Sequence, residues 1–246
     1  MHATFLIRPL LVVAGASLLA ACTQIPSERL VASVNAPPTG ASLSALEPRP
    51  APAAQSTVVP TERPPEKPDY SIAYAELDDQ EFRWPAIDHG AVHPDYLRQE
   101  VDYATDEPPG TIIVETEKKF LYLVLKDGRA MRYGVSLGAQ GRAWKGRAII
   151  QWKRKFPTWT PTPSMIARNP KLAQWKGGMK PGLANPLGAR ALYIFQDGKD
   201  TLYRIHGSPE WQTIGKNASS GCVRMFNQDV IDLYDRVRGK APLLVK

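Results

Sequence analysis

The chain has 246 residues, of which 43% are hydrophobic and 22% are charged, and it contains two cysteines. This length and apolar content allow one domain with its own hydrophobic core and an appended segment, or at most two small domains. Two cysteines exclude a disulfide-stapled scaffold and a four-cysteine zinc site. No apolar run reaches the roughly 18 residues of a membrane span, which excludes a polytopic membrane protein.

The net charge of +7 averages two opposed halves of the chain. Residues 23–109 carry nine more acidic than basic side chains, whereas residues 110–246 carry fifteen more basic than acidic ones. A basic surface suits a polyanion or a substrate that bears carboxylates. We do not expect nucleic acid as the partner, because the start of the chain predicts export from the cytoplasm.

Residues 1–21 have the short basic start, the apolar run and the small residues of a secretory signal. The sequence Leu19-Ala20-Ala21-Cys22 resembles the lipobox of bacterial lipoproteins, which implies a lipoprotein signal peptide and a lipid anchor on Cys22. Thr23 follows in place of aspartate, and in Gram-negative lipoproteins this implies a periplasmic protein held at the outer membrane. The alternative is an ordinary secretory signal with an incidental cysteine.

Residues 22–69 are rich in Pro, Ala, Ser, Thr and Val without periodicity, and this composition predicts a disordered tether. A polyproline-like chain extends by about 3 Å per residue, so the tether could reach on the order of 100 Å or more. Residues 70–109 combine apolar anchors with ten acidic residues between positions 76 and 107. We expect this acidic segment to pack on the basic half; whether it gates a site there stays open.

The second half of the chain reads as mostly β. Short runs rich in β-branched and aromatic residues are bounded by turn sequences, Lys126-Asp127-Gly128 and Asp197-Gly198, that are typical of hairpins. The predicted strands cover residues 111–115, 120–125, 129–135, 191–196 and 201–206.

Two helices have clear start and stop signals. Asn169-Pro170 predicts a helix over residues 171–176, and Asn227 predicts a cap for a helix over residues 228–238 that ends before Gly239. Residues 110–246 are therefore expected to form one domain, mainly β with a few short helices, built on a β-sandwich or barrel-like core.

Cys222 is the one cysteine that remains after Cys22. In an oxidising compartment such a thiol is either buried and inert or used as a thiol. The loop Ser219-Ser220-Gly221 before it can aim backbone N–H groups at an oxyanion, and Arg224 projects to the same side if the chain is extended. His206 ends a predicted strand and could serve as the base for a thiol nucleophile.

The arrangement His206-Gly207-Ser208, Ile214-Gly215 and Ser219-Ser220-Gly221-Cys222-Val223-Arg224-Met225 closely resembles the active-site signature of the L,D-transpeptidases, the YkuD-type catalytic domain. Asn185-Pro186-Leu187-Gly188 and Tyr203-Arg204-Ile205 extend the similarity. The resemblance covers roughly residues 110–246 and implies the fold of that family.

The resemblance also implies roles for individual residues. Cys222 is the expected nucleophile and His206 its general base and acid. The backbone amides of Ser220, Gly221 and Cys222 are the expected oxyanion donors. The remaining residues expected to contact substrate or order the loop are Arg224, Ser219 and Gly207. The chain has Ser220 where many members of the family have a histidine, so any role of a second histidine is absent.

The implied reaction is acyl transfer without a metal or cofactor. Cys222 would attack the diaminopimelate carbonyl of a peptidoglycan stem tetrapeptide and expel D-alanine. An acceptor amine on another stem would then give a 3→3 crosslink, an amine on an envelope protein would give a wall-attached protein, and water would make the enzyme an L,D-carboxypeptidase. A hydrolase that releases wall-bound protein and a non-catalytic, lipid-anchored wall-binding protein are the alternatives.

Overall fold

The computed structural model describes residues 66–138, 144–218 and 222–246. The predicted signal peptide, Cys22 and residues 22–65 of the predicted tether lie outside the described residues, as do Ser219, Ser220 and Gly221. Within the described ranges, no helix is both long enough and apolar enough to cross a membrane.

The described residues are mainly β with a few short helices, which confirms the predicted class. The helices are α1 (Tyr70–Ala73), α2 (Pro163–Arg168) and α3 (Asn227–Arg236), with 3₁₀ turns at His89–Ala91, Pro94–Tyr96, Pro170–Trp175 and Trp211–Thr213. The strands are β1 (Leu77–Asp79), β2 (Phe82–Trp84), β3 (Gln99–Asp102), β4 (Ile112–Glu115), β5 (Phe120–Val124), β6 (Arg129–Gly134), β7 (Ser136–Gly138), β8 (Gly146–Lys155), β9 (Arg190–Gln196), β10 (Lys199–Gly207), β11 (Asn217–Ala218), β12 (Val223–Met225) and β13 (Ala241–Val245).

Eleven of the described strands form one mixed sheet in the order β11-β7-β12-β10-β9-β8-β13-β4-β5-β6-β3, and β1 and β2 form a separate hairpin. Apolar side chains from both halves of the large sheet meet α3 in one core. Leu121 of β5, Leu192 of β9 and Leu233 of α3 are members of this core, and all three are fully buried. One face of α3 is therefore buried against side chains of the large sheet.

The predicted hairpins are confirmed. β5 pairs antiparallel with β6, and β9 pairs antiparallel with β10. Both residues of each turn, Asp127-Gly128 and Asp197-Gly198, have positive φ angles. Aspartate and glycine tolerate this left-handed backbone, and the resulting turn matches the twist of the strands it joins.

The two helix predictions need correction. Residues 171–176 were expected to be helical, and the chain there forms a 3₁₀ helix, Pro170–Trp175, with the Asn169 side chain accepting from the Lys171 N–H as expected for a cap. The second prediction was wrong at its start: α3 has Phe226 at its cap, and Asn227 is the first helical residue. Asn227 does not cap the helix because its amide binds the backbone of two other segments.

The acidic segment packs on the rest of the domain. Its side chains Tyr74 and Trp84 are almost fully buried, and β3 pairs with β6. Asp79 accepts two hydrogen bonds from the buried guanidinium of Arg190, at 2.7 and 2.8 Å. The contacts begin before the predicted boundary at residue 69, since the Glu66 carbonyl accepts from the N–H of Glu100 at 3.1 Å.

A buried carboxylate on α3 joins this segment to the helix. Asp229 is fully buried and accepts a hydrogen bond from the Tyr74 hydroxyl at 3.2 Å. Arg98 lies 3.6 Å from Asp229 and 3.3 Å from Asp232. Burial raises the pKa of Asp229 to about 7, although Arg98 and the Tyr74 hydrogen bond oppose the increase. Asp229 is thus a carboxyl group that the fold keeps protonated more readily than the unfolded chain does.

This carboxyl group predicts a pH dependence of stability. Between about pH 4 and pH 7 the folded chain retains the Asp229 proton and the unfolded chain releases it, so this group makes the fold less stable as the pH rises. Asp229→Asn removes the contribution. The free energy of unfolding of this variant, measured with urea at pH 5, 6, 7 and 8, should fall less steeply with rising pH than that of the unmodified protein. The two slopes should differ by up to about 1.4 kcal/mol per pH unit. The control is Asp78→Asn at an exposed position, which should keep the pH profile of the unmodified protein. A profile of Asp229→Asn that runs parallel to that of the unmodified protein would contradict the raised pKa of Asp229.

Candidate functional site

Two neighbouring strands carry the predicted catalytic residues. β10 and β12 are parallel, with Ile205 opposite Val223 and His206 opposite Arg224. Ile205 and Val223 point into the core. Because side chains alternate along a strand, His206 and Arg224 lie on the face directed away from that core. Cys222 directly precedes β12, on the same side of the chain as Arg224.

A cavity of about 390 Å³ opens on this face. It brings together His206, Cys222 and Arg224, although 16 positions separate the histidine from the cysteine in the chain. The other lining residues are Trp159, Met165, Arg168, Asn169, Leu172, Pro186, Leu187 and Glu210. A larger cavity of about 990 Å³ lies where β5 and β13 meet the C-terminal end of α3, and its lining contains neither cysteine nor histidine. The smaller cavity is therefore the candidate active site.

The chain between β8 and β9 forms the outer wall of the cavity. The 3₁₀ helix Pro170–Trp175 and α2 lie in this connection, and α2 begins where the Thr162 side chain accepts from the Met165 N–H. Fully buried Asn185 holds the returning chain, since its Nδ2 lies 3.0 Å from the carbonyl oxygen of Pro157 and its Oδ1 accepts from the N–H of Leu187. These bonds fix Pro186 and Leu187 against His206. Asn185-Pro186-Leu187-Gly188 thus supplies two lining residues.

The imidazole of His206 is buried, and its position assigns the tautomer. Nδ1 lies 2.6 Å from the carbonyl oxygen of Gly207. A carbonyl oxygen can only accept, so Nδ1 carries the proton and Nε2 keeps a lone pair. Burial lowers the pKa of His206 to about 4, and the charges of Arg224 and Arg204 add to the decrease, whereas hydrogen bonds to the backbone of Gly207 and of Pro186 oppose it. The imidazole is therefore neutral at neutral pH.

The thiol of Cys222 is also neutral at rest. Burial raises its pKa above the ordinary value, while the backbone N–H of Arg204 and the charges of Arg204 and Arg224 act in the opposite direction. A thiol with a raised pKa beside an imidazole with a lowered pKa is not a preformed thiolate–imidazolium pair. The proton between these two groups is therefore carried by the sulfur at neutral pH.

Glu210 is a charged residue of the cavity that sequence reasoning missed. Its Oε2 accepts from Nη1 of Arg224 at 2.6 Å. The two residues are 14 positions apart, and no local pattern in the sequence connects them. The Glu210 side chain is 65% exposed, whereas that of Arg224 is 14% exposed. The arginine is consequently held at the cavity by a partner that remains open to solvent.

Asn227 fixes the backbone behind the site. Its Oδ1 accepts from the N–H of Ala189 at 2.9 Å, and its Nδ2 donates to the carbonyl of Ser208 at 3.3 Å. A Cβ on Gly188 or on Gly207 would come within 2.2 Å of the same Oδ1. Both glycines are required because the amide occupies the space that a side chain would fill. Asn227 therefore joins α3 to the wall of the cavity and to the end of β10.

The predicted site residues fall into three groups. His206, Cys222 and Arg224 line one cavity. Gly207 contacts His206 through its carbonyl and leaves room for Asn227, so the contacts that it makes position the imidazole. Ser219, Ser220 and Gly221 lie outside the described residues, and their roles stay predictions. Within the described ranges, no group of three or more His, Cys, Asp or Glu residues could hold a metal ion.

The hydrogen bonds of the Asn227 side chain predict a loss of stability when that side chain is removed. Asn227→Ala leaves the buried N–H of Ala189 without its acceptor, which typically costs about 1–3 kcal/mol. Urea denaturation should show a loss of free energy of unfolding in this range. The exposed Asn217→Ala should change it by less than about 0.5 kcal/mol. An equal, small effect of both substitutions would show that Asn227 does not support the fold.

Alkylation tests the neutral thiol. Iodoacetamide reacts with the thiolate, so the rate at Cys222, followed by peptide mass spectrometry, should be low at pH 7 and still rising at about pH 9. Glutathione alkylated in parallel provides the profile of an ordinary thiol, and the Cys222 curve should lie to its alkaline side. A plateau at or below neutral pH would reveal a stabilised thiolate and refute this account of the site.

Comparisons with known proteins agree on one family. The model of the YkuD family, described as an L,D-transpeptidase catalytic domain, matches residues 109–245. A putative L,D-transpeptidase of Fuscovulum blasticum is 38% identical over 90 residues, which cover 37% of this chain and 43% of that protein. The probable L,D-transpeptidase ErfK/SrfK of Escherichia coli K12 is 32% identical over 130 residues, covering 51% of this chain and 40% of that protein.

The chain thus spans about two fifths of the length of these curated relatives. A solved structure described as a probable carnitine operon oxidoreductase from Brucella melitensis is 47% identical. That match covers 61% of this chain and 94% of the other, with a TM-score of 0.45.

Proposed function

This chain belongs to the L,D-transpeptidase catalytic domain family, and we propose that it is a peptidoglycan L,D-transpeptidase with Cys222 as the nucleophile. The observation that supports the proposal is that Cys222, His206 and Arg224 line the same cavity. The donor is a stem tetrapeptide, and the transferred acyl group is that of its diaminopimelate residue. Because a cysteine and a histidine supply the nucleophile and the acid–base group, the reaction needs no metal or cofactor.

The first half-reaction forms a thioester. Nε2 of His206 takes the thiol proton as Sγ of Cys222 attacks the diaminopimelate carbonyl. The C–N bond to D-alanine then breaks, and the imidazolium returns its proton to the leaving amine. The low pKa of His206 makes its imidazolium a strong acid, which favours this second transfer.

The tetrahedral intermediate between these steps carries a negative charge on oxygen. Backbone N–H groups of Ser220, Gly221 and Cys222 are the proposed donors to this oxyanion. One good donor of this kind contributes about 3 kcal/mol of transition-state stabilisation. The charges of Arg204 and Arg224 act in the same direction, because both favour negative charge at Cys222.

The second half-reaction resolves the thioester. An acceptor amine loses a proton to His206 and attacks the thioester carbonyl, and the sulfur leaves and is reprotonated. If the amine belongs to another stem, the product is a 3→3 crosslink; if it belongs to an envelope protein, the product is a wall-attached protein. Water as acceptor would make the enzyme an L,D-carboxypeptidase, and attack on an existing protein–wall bond would release protein.

A lipid anchor completes the proposal. Cys22 is the last residue of the lipobox-like sequence, and Thr23 favours sorting to the outer membrane over retention at the inner one. The tether would then allow the domain to work in the periplasm at a distance from the membrane. Metabolic labelling with a fatty acid should mark the unmodified chain and not Cys22→Ala. Equal labelling of both proteins, or labelling of neither, would contradict the proposed lipid anchor on Cys22.

Acylation by a carbapenem tests the chemistry. Intact-mass spectrometry of the purified protein should show an adduct that is absent from Cys222→Ala. His206→Ala should slow the formation of this adduct at least about a hundredfold, because the base that takes the thiol proton is lost. Adduct formation in Cys222→Ala, or a near-normal rate in His206→Ala, would contradict the assigned role.

Muropeptide analysis of a deletion strain then separates synthesis from hydrolysis. Loss of 3→3 links or of wall-attached protein supports transpeptidation, and identifies which acceptor is used. Accumulation of attached protein supports a hydrolase instead. An unchanged profile together with an intact carbapenem adduct would point to another acyl substrate.

A further inference from the structure

The candidate cavity is lined by one carboxylate and two guanidinium groups. The acidic and arginine side chains among its described lining residues are Arg168, Glu210 and Arg224. The arginines suit a substrate that carries carboxylates, since a guanidinium matches a carboxylate with a fork of N–H donors. Glu210 does not suit such a substrate by itself, because like charges repel. A second chemical feature of the ligand is needed to explain its presence.

The position of Glu210 is fixed although its side chain is exposed. Its backbone N–H donates to Oγ of Ser208 at 3.1 Å, and its carbonyl accepts from Oγ1 of Thr213 at 2.7 Å. One carboxylate oxygen, Oε2, contacts Arg224. The other, Oε1, has no hydrogen bond to any described residue. Within the part of the chain that the structure describes, the loop therefore presents an acceptor oxygen without a partner at this cavity.

The ion pair itself adds little to stability. Glu210 is largely exposed, and exposed ion pairs typically contribute only about 0–1 kcal/mol. Its location is more informative, because Arg224 lies opposite His206 in the β10–β12 register. A negative and a positive group thus lie side by side next to the proposed base. A ligand that complements Glu210 and Arg224 carries an ammonium and a carboxylate that are as close to each other as these two side chains are.

We propose that Glu210 and Arg224 together bind a zwitterionic amino-acid centre of the donor, with the ammonium on Glu210 and the carboxylate on Arg224. The side-chain end of diaminopimelate carries both groups on one carbon. An ammonium has three N–H donors, and Oε1 of Glu210 can accept one of them while Oε2 keeps its contact with Arg224. This inference rests on the proposed transpeptidase function and makes Glu210 a determinant of donor specificity.

A matched pair of donors tests the inference. One stem tetrapeptide carries diaminopimelate at position three; the other carries 2-aminopimelate, which keeps the terminal carboxylate and lacks the ammonium. For each donor, kcat/KM is measured by D-alanine release. The unmodified enzyme should prefer the diaminopimelate donor by at least about tenfold, as expected for a charge-assisted hydrogen bond. In Glu210→Gln this preference should fall to about one, mainly through KM.

Two controls separate binding from general damage. Glu107→Gln removes another carboxylate that contacts an arginine at 2.6 Å, Arg147, away from the cavity, and should keep the preference. The carbapenem lacks the diaminopimelate side chain, so its rate of reaction with Cys222 in Glu210→Gln should stay within about threefold of the unmodified rate. This also shows that the variant is folded.

The outcomes that would overturn the inference are distinct. If Glu210→Gln slows both donors equally, or slows the carbapenem as much, Glu210 only orients Arg224. If the unmodified enzyme treats the two donors alike, the ammonium is not recognised. If the unmodified enzyme releases D-alanine from neither donor, the proposed function fails as well.

Discussion

The parallel pairing of β10 with β12 is the constraint on which the rest of the site depends. It sets His206 opposite Arg224, and the alternation of side chains along both strands directs these two residues away from the core that Ile205 and Val223 enter. A shift of one residue between the strands would turn the catalytic face toward the core. The positions of the side chains that line the site therefore depend on the register between these two strands.

The surrounding structure holds this register and shapes the cavity. The side-chain amide of Asn227 forms hydrogen bonds with the backbones of Ala189 and Ser208 and does not cap its own helix. Gly188 and Gly207 have no side chains and so leave space for this amide. The acidic segment also contacts α3, at Asp229 and at Gln228, whose Nε2 donates to the carbonyl of Pro85 at 2.9 Å. One helix thus contacts both the acidic segment and the wall of the site.

Local chemistry explains which predictions from sequence were accurate. The hairpins depend on adjacent residues, such as Asp127-Gly128, that tolerate the positive φ angles of the turn. Helix α2 could have been predicted in the same way, because Thr162-Pro163 is a cap followed by a first-turn proline. The error at Asn227 has the opposite origin: capping preference is local, and it yielded to hydrogen bonds with residues 19 and 38 positions away. Glu210 could not be identified from the sequence because its partner, Arg224, is 14 positions away and comes close only when the chain folds.

The central claim is that a neutral thiol at Cys222, activated by His206, carries the acyl group of a stem peptide. The most direct measurement is peptide mapping of the enzyme after rapid acid quenching in the presence of a stem tetrapeptide and no acceptor. The account predicts a thioester-linked tripeptide on the fragment that contains Cys222, in a one-to-one ratio with released D-alanine. Release of D-alanine in the steady state without acyl group on that fragment, or an acyl group on another residue, would contradict it.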